Sequence, residues 1–159
     1  MTTIRLPDPE ATVALGHALG RTRPASAVLH LAGDLGAGKS TLARALLRSL
    51  GVEGPIRSPT YTLVERYAVP GGEAWHLDLY RIADPGELEF LGLDPAEATL
   101  WLVEWPERGT GSLPPADLLV ELDHSPDGRE GRLTGLSSAG DAWLTSATAA
   151  FTEANFTAG

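Results

Sequence analysis

The sequence predicts an α/β layered fold built around a mixed sheet, and three observations carry that prediction. An apolar run at 27 to 32, AVLHLA, leads through a glycine-rich stretch into apolar residues at helical spacing. A second buried-type run, LWLV at 100 to 103, has no polar alternation. Two pairs of strand-like runs flank the turn signals PGG and SPDG. Apolar strands interleaved with helices favour parallel pairing, whereas hairpins bring antiparallel strands into the same sheet. Pattern alone leaves the strand order open.

Taken in order, TIRL at 3 to 6 suits a short strand. Asp8, Pro9 and Glu10 then supply a cap, an N1 proline and a first-turn acid for a helix reaching about Leu19. The 27 to 32 strand is bounded by Pro24 and Gly33. From Lys39, the apolar residues Leu42, Ala43, Leu46, Leu47 and Leu50 fall on one helical face, which Gly51 closes as a C-cap. Thr62 to Ala68 and Glu73 to Tyr80 form the first predicted hairpin. Asp84 to Leu91 reads as a short helix, and Leu100 to Val103 as a strand ahead of a proline-broken loop. Asp117 to Leu122 and Arg129 to Leu136 form the second hairpin. The alanine- and threonine-rich segment from Asp141 has weak helical character and no identifiable chemistry.

At 159 residues, without internal repeats or a linker-like block, the chain fits one globular domain. We expect that domain over residues 1–140, with 141–159 a C-terminal helix or tail of unassigned role. There is no cysteine, which excludes disulfides and thiolate metal sites. Prolines and acids interrupt the first twenty residues, and no stretch approaches membrane-spanning length, so a cytoplasmic protein with no membrane partner is expected. A formal charge of −9 opposes the counterion release that drives non-specific nucleic-acid binding, so no direct grip on RNA or DNA is expected.

Lys39 is the only lysine among twelve basic residues. With Gly33, Gly38 and Ser40 it completes G-x-x-x-x-G-K-[ST], in which loop N–H groups cradle phosphates at a helix N-terminus. A compact ammonium can sit between β- and γ-phosphates, where a planar guanidinium would fork onto one group. Ser40 offers its hydroxyl to Mg²⁺. The motif lies between a predicted strand and a predicted helix, and sharpens the fold to a three-layer P-loop NTPase-like architecture. The single asparagine is Asn155 and there is no glutamine, so neither a guanine-reading Asn-Lys-x-Asp element nor a water-orienting glutamine is available. ATP follows by elimination.

Mg²⁺ and an attacking water need carboxylates near the carboxyl ends of the flanking strands. Asp78, in AWHLDLYR, and Glu104, directly after LWLV, are the two candidates. Taken alone, an acid on a strand such as Asp78 also suits a solvated face.

Together GDLGAGKST, SPTYTLVERY at 58 to 67, HLDLYR at 76 to 81 and VEWPERG at 103 to 109 resemble the TsaE family. These are bacterial P-loop ATPases of tRNA threonylcarbamoyladenosine synthesis, and the resemblance runs from about residue 4 to 140. It implies binding of ATP with Mg²⁺ and association with the TsaB and TsaD proteins, where hydrolysis, slow in the isolated subunit, supports repeated modification of the adenosine beside the anticodon. The tRNA is then met only indirectly. By motif, Lys39 and the loop residues Asp34, Leu35, Gly36, Ala37, Gly38, Ser40 and Thr41 bind nucleotide. Ser40 and Glu104 hold Mg²⁺, Asp78 serves the metal and water network, and Thr60 sits in a switch-like loop. Lys39, Asp78 and Glu104 form the catalytic set. Trp105 falls beside the nucleotide, although an aromatic after a strand equally suits packing. Thr12 and Arg129 match segments near the adenine. His76 belongs to the same motif as Asp78 and is expected to pack or hydrogen-bond rather than act as a base. Arg81 suits a phosphate or partner contact, or a plain surface position. The loop alone also fits a small-metabolite kinase or a nucleotide switch that does not hydrolyse.

Overall fold

In the computed structural model, which describes residues 1–158 and side chains through residue 154, the chain opens with β1 (Thr2–Leu6) and α1 (Pro9–Thr22). β2 (Ala27–Gly33), α2 (Lys39–Ser49), β3 (Val64–Val69) and β4 (Gly72–Asp78) follow. β5 (Ala98–Glu104), β6 (Leu118–Ser125), β7 (Gly128–Gly135) and α3 (Ser138–Ala158) complete the order. The end of the 141–159 segment lies outside the described residues. Short 3₁₀ turns at Pro85–Leu91, Pro95–Glu97 and Pro106–Gly109 fill the connections around β5.

Seven strands form one sheet in the order β1-β7-β6-β2-β5-β4-β3. β4, β5, β2 and β6 are mutually parallel, while the β3–β4 and β6–β7 hairpins and the β1–β7 pair add antiparallel strands at both edges. The mixed α/β sheet expected from the sequence is therefore present. Registers Leu29↔Leu102 and Leu29↔Leu118 put one set of apolar side chains on the face that α1, α2 and α3 cover. Trp75, Leu77, Trp101 and Val103 point the other way and pack against Leu79, Ile82 and Leu88. Helices, sheet and a layer of 3₁₀ turns make three layers.

Local chemistry explains the boundaries. Asp8 caps α1 by accepting from the Ala11 N–H at 2.8 Å, with Pro9 in the first turn. At the end of α2 the C-cap is Leu50 rather than Gly51. The glycine follows it at φ 91, the left-handed position where the reversal occurs, with its N–H donating to Arg48 O at 3.0 Å. α1 and α2 approach closely at Gly16 and Gly20. A Cβ on Gly16 would lie 2.6 Å from the Leu42 carbonyl oxygen, so no larger residue fits without separating the helices.

α3 is integral to the core. Trp143, Ala147 and Phe151 fall one turn apart and are buried on its inner face, and Trp143 donates Nε1–H to the Leu19 carbonyl at 3.0 Å. Trp143→Ala is expected to cost about 3–5 kcal/mol in denaturant unfolding, the range for truncating a buried aromatic. A loss below about 1 kcal/mol, far under that range, would show that α3 contributes little to the fold. Among the described residues no helix is long and apolar enough to cross a membrane.

Candidate functional site

The parallel strands β4, β5 and β2 end side by side. The pairs Asp78↔Glu104 and Leu31↔Glu104 set both acids level with the end of β2, on the face that carries α2. This is the edge of an α/β sheet at which ligand sites form, because loops leaving neighbouring strands diverge there. The glycine-rich loop between β2 and α2 occupies it. Gly38 is the N-cap of α2 at φ 108, a conformation that an L side chain rarely adopts. α2 has no side-chain cap and no acid in its first turn, so its N-terminal N–H groups and positive dipole end are available to an anion.

Lys39 is 5% exposed, unusual for a lysine, and its Nζ donates to the Gly33 and Asp34 carbonyls at 2.5 and 2.8 Å. The ammonium also sits 4.6 Å from the centre of the Trp105 ring. Burial pushes the lysine down from its usual range, opposed by the negative charges of Glu104, Asp78, Glu107 and Asp34. The loop thus presents a cation that is held by dipoles and ring electrons rather than by a direct ion pair.

Ser40 Oγ donates to Glu104 Oε1 at 3.2 Å, joining the second residue of α2 to the last residue of β5. Asp78 accepts from the Tyr80 N–H at 3.0 Å and from Thr60 Oγ1 at 3.4 Å, and Thr60 shares a 2.6 Å hydroxyl contact with Ser58. Thr60 is thereby tied to an acid of the cleft. Arg129, on β7, reaches across to donate Nη2–H to the Gly36 carbonyl at 2.7 Å, bracing the loop from its far side.

These residues enclose a cleft of about 280 Å³. Thr12, Leu35, Gly36, Gly38, Lys39, Ser40, Thr41, Thr60, Asp78, Glu104, Trp105 and Arg129 line it, so most of the residues singled out in the sequence converge on one place. Asp34 and Ala37 do not line it. Ala37 packs in the core, and Asp34 takes part through its backbone carbonyl. Arg81 also stays outside, stacked 4.5 Å from the centre of the exposed Tyr61 ring. A larger cavity of about 430 Å³ lies on the other face of the sheet among Leu77, Leu88, Trp101 and Leu113. It has no basic side chain in its lining to meet a polyphosphate.

The place of Pro9 and the partner of His76, a residue expected to pack or hydrogen-bond, escaped sequence reasoning. Pro9 lines the cleft beside Thr12, about one helical turn away on α1. His76 Nε2 lies 2.6 Å from Glu104 Oε2. No local signal in the sequence joins residues 76 and 104, because the pairing depends on the β4–β5 register.

The donor set suits Mg²⁺. Ser40 Oγ, Glu104 and Asp78 offer hard oxygen donors in one cleft. Among the described residues no three acidic or imidazole groups cluster as a self-sufficient cage. Mg²⁺ is characteristically bound through one or two protein oxygens, with phosphates and water completing its octahedron.

The sequence model of the family described as threonylcarbamoyl adenosine biosynthesis protein TsaE matches residues 6–132. A Haemophilus influenzae protein named tRNA threonylcarbamoyladenosine biosynthesis protein TsaE is 48% identical over 115 residues, covering 71% of this chain and 73% of the relative. Proteins of the same name from Nostoc and Mycobacterium tuberculosis are 42% and 40% identical, over 68% and 76% of this chain and 70% and 78% of theirs. The crystal structure of Bacillus subtilis YdiB superposes with a TM-score of 0.76 at 25% identity, covering 92% of this chain and 93% of that one.

Proposed function

The chain belongs to the TsaE family, and from that premise we propose that it binds Mg²⁺·ATP and hydrolyses it slowly as a subunit that supports N6-threonylcarbamoyladenosine formation in tRNA, together with TsaB and TsaD. The observation that carries this reading is the convergence of Lys39, Ser40, Asp78 and Glu104 on one cleft at the ends of β2, β4 and β5. The loop N–H groups and Lys39 bind the β,γ-phosphates, and Lys39 exchanges its bonds to the Gly33 and Asp34 carbonyls for phosphate oxygens. Ser40 and Glu104 hold the metal, which when bound supplies a charge clamp on the phosphate oxygens. Asp78, anchored by the Tyr80 N–H and Thr60, orients the attacking water. Thr12 and Arg129 line the cleft beside the loop, and their proposed role is to face the adenine. The charge of −9 makes tRNA a substrate of the assembly rather than a direct ligand of this subunit.

A reconstitution tests the proposal. The isolated chain is expected to hydrolyse ATP slowly; with TsaB, TsaD, tRNA and a preformed activated threonylcarbamoyl donor, turnover should rise and many rounds of modification should be sustained only when ATP is present. Multiple-turnover modification in the absence of ATP would overturn it. A small-metabolite kinase would transfer phosphate to an acceptor faster than it hydrolyses ATP, so a screen of small metabolites that found such transfer would favour that alternative.

A further inference from the structure

His76 lies on β4 between Ala74 and Asp78, facing the helix-covered side of the sheet, and is 2% exposed. An imidazole in such a place loses its hydration, and a ring kept only for packing would be replaceable by an apolar side chain. Its hydrogen bonding is one-sided. Nε2 meets Glu104 Oε2 at 2.6 Å, whereas Nδ1 is buried without a partner. Where Glu104 is a carboxylate it can only accept, and the Nε2–H tautomer is then the one that makes this bond. The same carboxylate receives the Ser40 hydroxyl on Oε1 at 3.2 Å, closer than the 3.5 Å to Oε2.

We propose that His76 is a positioning residue for Glu104: its one hydrogen bond pins Oε2 and leaves Oε1 turned toward Ser40, the oxygen pair that receives the metal. Without that pin the buried carboxylate could rotate about its terminal bond, which has a broad torsional well. This is the arrangement by which ligating carboxylates are held by hydrogen-bonded neighbours. The small cavity beside His76, about 10 Å³ and lined also by Arg44, Arg57 and Ser58, is just large enough for one water to reach the ring.

The inference rests on the Mg²⁺·ATP reading, and the experiment separates the two. ATP affinity is measured calorimetrically for the full chain with Mg²⁺ and with EDTA, alongside thermal unfolding. The wild-type chain should show a clear gain with Mg²⁺; no gain would overturn the nucleotide reading and this inference together. His76→Leu is expected to keep the EDTA affinity within about twofold and to lose at least tenfold of the Mg²⁺-dependent gain, with a Tm that falls because Glu104 Oε2 is left buried without its partner. His76→Gln, whose amide nitrogen reaches the Nε2 position, should recover most of the gain, whereas His76→Asn, which ends near Nδ1, should not. A wild-type-sized gain in His76→Leu would overturn the proposal while leaving the nucleotide reading intact. If the leucine variant does not fold, the Gln and Asn pair decides: equal gains in both would reject a positioning role.

Discussion

Lys39→Ala is expected to weaken ATP binding at least about a hundredfold and to abolish sustained tRNA modification with TsaB and TsaD. The magnitude follows from the geometry. The Lys39 ammonium lies in a slot that it fills with two hydrogen bonds, and in the nucleotide complex those become bonds to anionic oxygens worth about 1.5–3 kcal/mol each. Lys39→Arg should fail nearly as badly, because a guanidinium cannot occupy a slot shaped for a point charge between the Gly33 and Asp34 carbonyls and the Trp105 ring. Titration with a fluorescent ATP analogue reads the affinity and mass analysis of tRNA nucleosides reads the modification. Full, sustained modification by Lys39→Ala would overturn the assignment.

Glu104→Gln separates binding from turnover. The substitution preserves volume and an acceptor for the His76 N–H but removes the charge that faces Ser40. ATP affinity in EDTA should change by less than about threefold, while hydrolysis should fall by roughly a hundredfold or more as the metal loses its carboxylate. Coupling that variant to TsaB, TsaD and tRNA asks whether the family's cycle needs hydrolysis. A variant that binds but does not hydrolyse, yet modifies tRNA at the wild-type rate over many turnovers, would establish the chain as a switch instead of an ATPase.

What the sequence made legible was local. G-x-x-x-x-G-K-[ST] lies within eight consecutive residues, and its strand and helix neighbours announce themselves by periodicity. Glu104 was readable because an unbroken apolar run of strand length marks its own carboxyl end, where sites in such sheets gather. Strand order was not readable. β2 between β5 and β6, and β1 beside β7, are pairings across long stretches of chain that no window of residues encodes. The His76–Glu104 bond is hidden for the same reason, since it exists only in one β4–β5 register. α3 was underrated for a different one. Its alanines and threonines blur the amphipathic contrast, and the signal lay in Trp143, Ala147 and Phe151 recurring every fourth residue.

The edge position of β1 bears on how the molecule is made. Its one neighbour among the described strands is β7, so Thr2 and Leu6 find Leu133 and Arg129 only after all the intervening strands have been synthesised. β1 is made before β7 and waits for every strand between them, and loop-closure entropy makes such distant pairing slow. Arg129, the brace on the phosphate loop, arrives on that same last strand. A nascent chain lacking β7 therefore has the loop sequence without the brace, and a ligand that bound the braced loop would favour the fold in which Arg129 has arrived.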